Sequence, residues 1–181
     1  MQIEFIIEDS DFLTFQLHTA SESPLVRRKR LRNKILIPVI YTIFGLLFIY
    51  YQQYYITITF VVLSVMWFIF YPLYEKQRYI KYFRNFIQEN YQQRFDRLSH
   101  LNIDPDFITA HDNANESKVM TSEIERIIEI PDAIYIKLKT GPSYILPKRK
   151  ISNIEEVILG LKSLAQTLNI EYRSNLTWYW K

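Results

Sequence analysis

The sequence predicts an α+β membrane protein: a two-helix transmembrane hairpin inserted into a cytoplasmic β-rich domain, with a long linking helix and a C-terminal capping helix. Three observations carry this. Residues 35–74 contain no Asp, Glu, Lys or Arg, although the mean hydropathy of the whole chain is only −0.10. Basic residues crowd both flanks of that stretch, and short apolar segments separated by turn-forming residues fill the part that follows.

Residues 1–24 read as an N-terminal β-hairpin. Ile3, Phe5 and Ile7 alternate with Glu4 and Glu8, Leu13, Phe15 and Leu17 alternate with Thr14, Gln16 and His18, and Glu8-Asp9-Ser10-Asp11 supplies the turn. A lone two-stranded hairpin is marginal in water, so it is expected to dock on the later strands. Residues 1–24 carry five acidic side chains and no Lys or Arg, unlike the basic start of a cleavable signal peptide.

Residues 25–34 form a basic juxtamembrane segment holding Arg27, Arg28, Lys29, Arg30, Arg32 and Lys34. The hairpin, residues 35–74, divides into two apolar runs, Ile35 to Tyr51 and Tyr54 to Tyr74, around Gln52 and Gln53. A span needs about 20 apolar residues, and an unbroken helix of both runs would be about twice the hydrocarbon thickness, so the chain must turn back. Tyr50, Tyr51, Tyr54 and Tyr55 bracket the turn as interfacial aromatic rings do. Lys76 and Arg78 follow the second run, and Lys81 and Arg84 lie a little further on. Lys and Arg are retained on the cytoplasmic side, which places both termini in the cytoplasm of a bacterial inner membrane. Beside an apolar span such a run sets topology and touches anionic lipid; no nucleic-acid role is expected.

Residues 75–100 carry Tyr79, Tyr82, Phe83, Phe86, Ile87, Tyr91, Phe95 and Leu98 at helical spacing, which predicts an amphipathic linking helix. Residues 101–181 then read as a cytoplasmic β-domain. Its strands are predicted at 107–111, 118–121, 126–130, 134–139 and 143–146, separated by turns such as Asp112-Asn113-Ala114-Asn115 and Thr140-Gly141-Pro142. Ser152 with Glu155 has the capping-box pattern, opening a helix through Ile154, Val157, Ile158, Leu161, Leu164, Ala165 and Leu168.

This order of elements resembles the YcxB-like family of bacterial membrane proteins. The most specific pieces are Glu125-Arg126-Ile127-Ile128-Glu129, Ala133-Ile134-Tyr135-Ile136, and Ile145-Leu146-Pro147-Lys148-Arg149 leading into the last helix. The resemblance implies a pleckstrin-like fold for the C-terminal part.

The chain has no cysteine, which excludes disulfides, thiolate metal ligands and thiol nucleophiles. With three glycines it has no Gly-rich phosphate loop. His18, His100 and His111 have no partner at metal-ligand spacing in the sequence, and no metal or other cofactor is expected. The function that follows is non-enzymatic: an integral inner-membrane protein, bound to the lipid bilayer, whose cytoplasmic domain binds a protein partner or anionic lipid. Lys148, Arg149, Lys150, Trp178 and Trp180 are the expected contacts, and a homo-oligomer is compatible with the sequence. The alternative is a membrane-embedded immunity protein that binds a secreted toxin. An enzyme acting on interfacial lipid would instead require His100 or His111 in a concave site with a carboxylate in hydrogen-bond reach.

Overall fold

The computed structural model describes residues 1–91, 95–112 and 116–180. They form two compact units, one of Met1–Phe15 with Phe86–Tyr179, the other of Gln16–Asn85 with the last residues of the chain. The first unit is therefore discontinuous, with a segment holding most of two long apolar helices inserted between its two parts.

That unit holds two four-stranded sheets. The first has the order β1 (Gln2–Ile6), β2 (Leu98–Ile103), β3 (Phe107–His111), β4 (Glu116–Met120), all antiparallel. The second has the order β7 (Ser143–Pro147), β6 (Ala133–Leu138), β5 (Ile124–Glu129), β8 (Glu171–Ser174), with β8 parallel to β5. Alternation places Ile3, Phe5, Leu101, Ile103 and Ile108 on the inner face of the first sheet. They share a core with Ile127, Ile134, Ile136 and Leu146 of the second, and with Val157, Leu161 and Ala165 of helix α4 (Ile154–Thr167). The apolar face predicted for the last helix does close this core.

Three expectations are corrected here. The second half of the N-terminal hairpin is a helix, α1 (Asp9–Glu22). The Asp11 carboxylate accepts the Glu8 N–H at 2.9 Å while the Glu8 carbonyl accepts from Asp11 and Phe12, so the acidic run that reads as a β-turn is a helix start. β1 finds its antiparallel partner far along the chain, in β2. The linking helix continues the second apolar helix, as expected, but the described helix runs only to Tyr91; residues 92–94 lie outside the described part, and Leu98–His100, placed in that helix by their spacing, are strand. The N-cap position of the last helix is Asn153 rather than Ser152, and no side chain caps it. Residues 113–115 of one predicted turn also lie outside the described part.

The second unit contains helix α2 (Pro24–Tyr50) and most of helix α3 (Tyr54–Tyr91), and the predicted basic segment forms the first turns of α2. Ser23 accepts from the Val26 N–H at the start of α2, and Pro24 occupies a first-turn position where its missing N–H is harmless. At the other end Gln53 N–H donates to Phe48 O and Gln52 N–H to Ile49 O, both at 2.9 Å, with Gln52 at φ 57°. This is a Schellman turn in which a glutamine takes the left-handed position usually given to glycine. The two helices pack through Phe60, whose ring stacks on Phe44 and Phe48 at 5.7 Å each. Gly45, the buried residue of α2, faces the Phe60 Cβ, and its carbonyl accepts from the Thr57 hydroxyl at 3.2 Å.

Both helices are long and apolar enough to cross a membrane, and almost none of either apolar stretch is buried inside the protein. That separates them from the core helices of a soluble domain, which bury one face.

Candidate functional site

The basic tripeptide offered by the sequence as a lipid or partner contact is engaged within its own unit. Lys148, Arg149 and Lys150 form a 3-10 turn directly after β7. Lys148 Nζ lies 2.7 Å from Glu129 Oε1, and Glu129, 4% exposed, also accepts from the Tyr172 hydroxyl at 2.9 Å and Ser174 Oγ at 3.1 Å. Burial would raise the Glu129 carboxyl, but the hydrogen bonds from Lys148, Tyr172 and Ser174 outweigh it and hold the group below its ordinary value. Arg149 Nη2 contacts Glu8 Oε2 at 2.7 Å, Ser10 Oγ at 2.9 Å and Asp11 Oδ1 at 3.0 Å; Lys150 Nζ lies 2.6 Å from Glu8 Oε1. The Lys150 hydrogen bond holds Glu8 below the usual carboxylate range, with Arg149 adding to it. These three cations therefore meet three carboxylates, which lowers their pull on external phosphate. The sequence could not show this, because Glu8 and Asp11 lie some 140 positions away in the chain and read as a turn.

The juxtamembrane basic residues behave differently. Arg30 pairs with Glu75 at 2.9 Å, and Glu75, 3% exposed, also accepts from the Tyr71 hydroxyl. Trp180 is buried in the same unit, with the Arg30 guanidinium 4.7 Å from its ring centre and Tyr79 at 5.5 Å. The tail tryptophan expected to be an exposed contact is instead a packing residue. Trp178 packs in the other unit, against the cluster of Ile128, Ile130, Tyr135 and Ile145. Arg27 lies 3.5 Å from Glu22, Lys34 sits over the Phe68 ring at 4.3 Å, and Arg78 lies about 6 Å from the rings of Tyr74 and Tyr79. Arg28, Lys29 and Arg32 are exposed, and Lys76 is half-buried. Basic groups thus gather where the two apolar helices begin and end.

The first unit contains a cleft of about 290 Å³. Phe5, Ile7, Phe12, Tyr91 and Phe95 form its aromatic and aliphatic wall, with Phe12 lying 4.7 Å from Tyr91 and 6.0 Å from Phe95 between ring centres. Ser99, Ser117, Ser143 and Tyr144 bring hydroxyls, and His100 and His111 border it. Ser117 Oγ and the Tyr144 hydroxyl approach to 3.4 Å, joining β4 to β7. An apolar wall with a few convergent polar groups is the usual make-up of a ligand or side-chain pocket. The sequence concealed it, since β1, α1, the end of α3 and both sheets contribute.

Beside it, His100 and His111 face one another across β2 and β3, with ring centres 6.3 Å apart and planes 26° apart. His100 Nδ1 lies 3.2 Å from Glu4 Oε1. His100 thus has a carboxylate near its ring, but its side chain is 44% exposed on the outward face of the sheet, at the border of the cleft rather than inside it. Among the described residues no three His, Cys, Asp or Glu side chains already converge as a metal-binding group. His18, buried in α1, lies in the other unit.

No curated protein matches the chain. Residues 103–159, from the end of β2 into α4, match the family model described as YcxB-like protein, which agrees with the resemblance carried by Glu125–Glu129, Ala133–Ile136 and Ile145–Arg149. Residues 103–159 are thus similar to the YcxB-like family, in a chain that also has two helices long and apolar enough to cross a membrane.

Proposed function

We propose that this protein is a non-enzymatic binding module of the bacterial inner membrane. Its two apolar helices span the bilayer with both termini in the cytoplasm. Its two-sheet domain, read as pleckstrin-like from the two sheets and the helix that closes their core, engages a protein or lipid partner through the aromatic cleft. The bare apolar surface of α2 and α3, flanked by Arg27–Lys34 and Lys76–Arg84 and charge-free at the turn, is the observation that carries the membrane part. With Lys148, Arg149 and Lys150 satisfied internally, contact with anionic lipid falls to the juxtamembrane cations, and partner binding falls to the cleft.

The test is photo-crosslinking in cells from a benzophenone side chain replacing Ala110, which lines the cleft, against one replacing the outward-facing Thr109. A defined adduct from position 110 alone supports the reading. A protein adduct names the partner, and a secreted toxin among such adducts would select the immunity function; a lipid adduct selects the lipid form. Equal or absent labelling at the two positions rejects the cleft as the binding site.

A second reading rests on the Glu4–His100 contact, which has the base-plus-orienting-carboxylate arrangement of a general base. It requires turnover of a phospholipid ester by the protein in nanodiscs, lost on His100→Ala. No turnover above the His100→Ala background rejects it.

A further inference from the structure

The outward face of the first sheet carries one row of titratable side chains that crosses all four strands. Glu4 on β1 stands directly opposite His100 on β2, His100 opposite His111 on β3, and His111 opposite Glu116 on β4. Directly opposed residues of antiparallel strands point to the same face, with Cβ atoms about 4.5–5.5 Å apart. The inner face of the same strands is apolar, with Ile3, Phe5, Leu101 and Ile108 buried. Nothing in the packing of the core asks for two imidazoles side by side on the other face.

We propose that His100 and His111 form a two-imidazole binding site for one divalent transition-metal ion of the zinc class, with water completing the shell. The inference is independent of what the cleft binds. Three features of the row support it. Two imidazoles on neighbouring strands, 6.3 Å between ring centres, need only side-chain rotation to bring one nitrogen of each to the roughly 2.0–2.1 Å that a zinc–imidazole bond requires. Glu4 Oε1 lies 3.2 Å from His100 Nδ1, the position from which a carboxylate can fix the tautomer that leaves Nε2 free to coordinate. Glu116, opposite His111, gives the row a carboxylate at each end, so a dication finds compensating charge. Imidazole with carboxylate and no thiolate suits zinc, copper or nickel, whereas calcium and magnesium prefer all-oxygen shells. The site is exposed: the His100 side chain is 44% accessible and Glu4 68%, so the ion enters directly from water.

The measurement is zinc titration by calorimetry on the full chain in detergent, with any affinity tag removed, paired with the electron paramagnetic resonance spectrum of bound Cu²⁺. One ion per chain is expected, with a nitrogen hyperfine pattern from two imidazoles. His100→Ala and His111→Ala should each weaken zinc binding by at least about tenfold, and Glu4→Gln by about 10- to 100-fold through loss of the orienting hydrogen bond. All three side chains lie on an exposed face, and circular dichroism of each variant checks that the sheets are intact. Zinc affinity unchanged within threefold in either histidine variant, or a copper spectrum with fewer than two histidine nitrogens, overturns the proposal.

Discussion

Glu129 shows how a single residue organises the second sheet. It lies at the end of β5, 4% exposed, where an unpaired carboxylate would be strongly unfavourable. Lys148, Tyr172 and Ser174 satisfy it, so one side chain ties β5 to the turn after β7 and to β8. Because its folded carboxyl is held below its unfolded value near 4.5, the stability it contributes is present above that value and is lost as pH falls through the lower folded value. Glu129→Ala leaves the Lys148 ammonium without this partner, and we expect a loss of about 3 kcal/mol at neutral pH, read from denaturant unfolding. Glu129→Gln should retain some of the hydrogen bonding but flatten the fall of stability as pH drops below about 4.5. A parent-like acid limb in that variant would mean that other carboxylates carry it. The sequence marks Glu129 only as a polar end to an apolar strand; that it is buried follows from β8, a strand that periodicity does not reveal.

At the scale of elements, what was legible in the sequence depended on whether local and long-range forces agreed. The charge-free runs, strands β3 to β7 and the apolar face of α4 all follow from patterns within a few residues. Helix α1 does not, because Leu13-Thr14-Phe15-Gln16-Leu17 alternates like a strand. The decision falls to the reciprocal bonds between Glu8 and Asp11 and to the contact of Phe12 with Tyr91, neither visible as alternation. β2 was missed for the converse reason: Phe95 and Leu98 continue the helical stripe of α3, but pairing with β1 and β3 claims Leu98–Ile103. The two-residue turn between the two apolar helices was located correctly, and its backbone form was hidden by a glutamine where glycine is usual. Gln52→Gly should therefore be tolerated or stabilise the hairpin by about 0.5–1 kcal/mol, since glycine adopts positive φ without a Cβ penalty. Gln52→Val should destabilise it by more than that. Thermal unfolding of the two variants in the same detergent checks the order, and a glycine variant less stable than the valine variant would contradict the turn assignment.

For the whole molecule the governing fact is the separation of charge. Basic residues collect at one end of both apolar helices, and the other end, at Gln52 and Gln53, has none. This asymmetry, more than the sheets, sets the proposed orientation, since moving Lys or Arg across a bilayer is disfavoured and their excess is retained in the cytoplasm. The candidate binding regions were only half legible at this scale. The juxtamembrane cations are a local run, whereas the cleft and the Glu4–His100–His111–Glu116 row exist only once β1 pairs with strands some hundred residues later. The absence of cysteine makes the orientation directly measurable, because any thiol introduced is the only one. A membrane-impermeant maleimide added to intact spheroplasts should label Gln53→Cys and should reach Leu176→Cys, at an exposed position, only after lysis. The reverse pattern would place the two-sheet domain outside the cytoplasm, and labelling of both positions in intact spheroplasts would mean that the two helices do not return the chain to the side from which it entered.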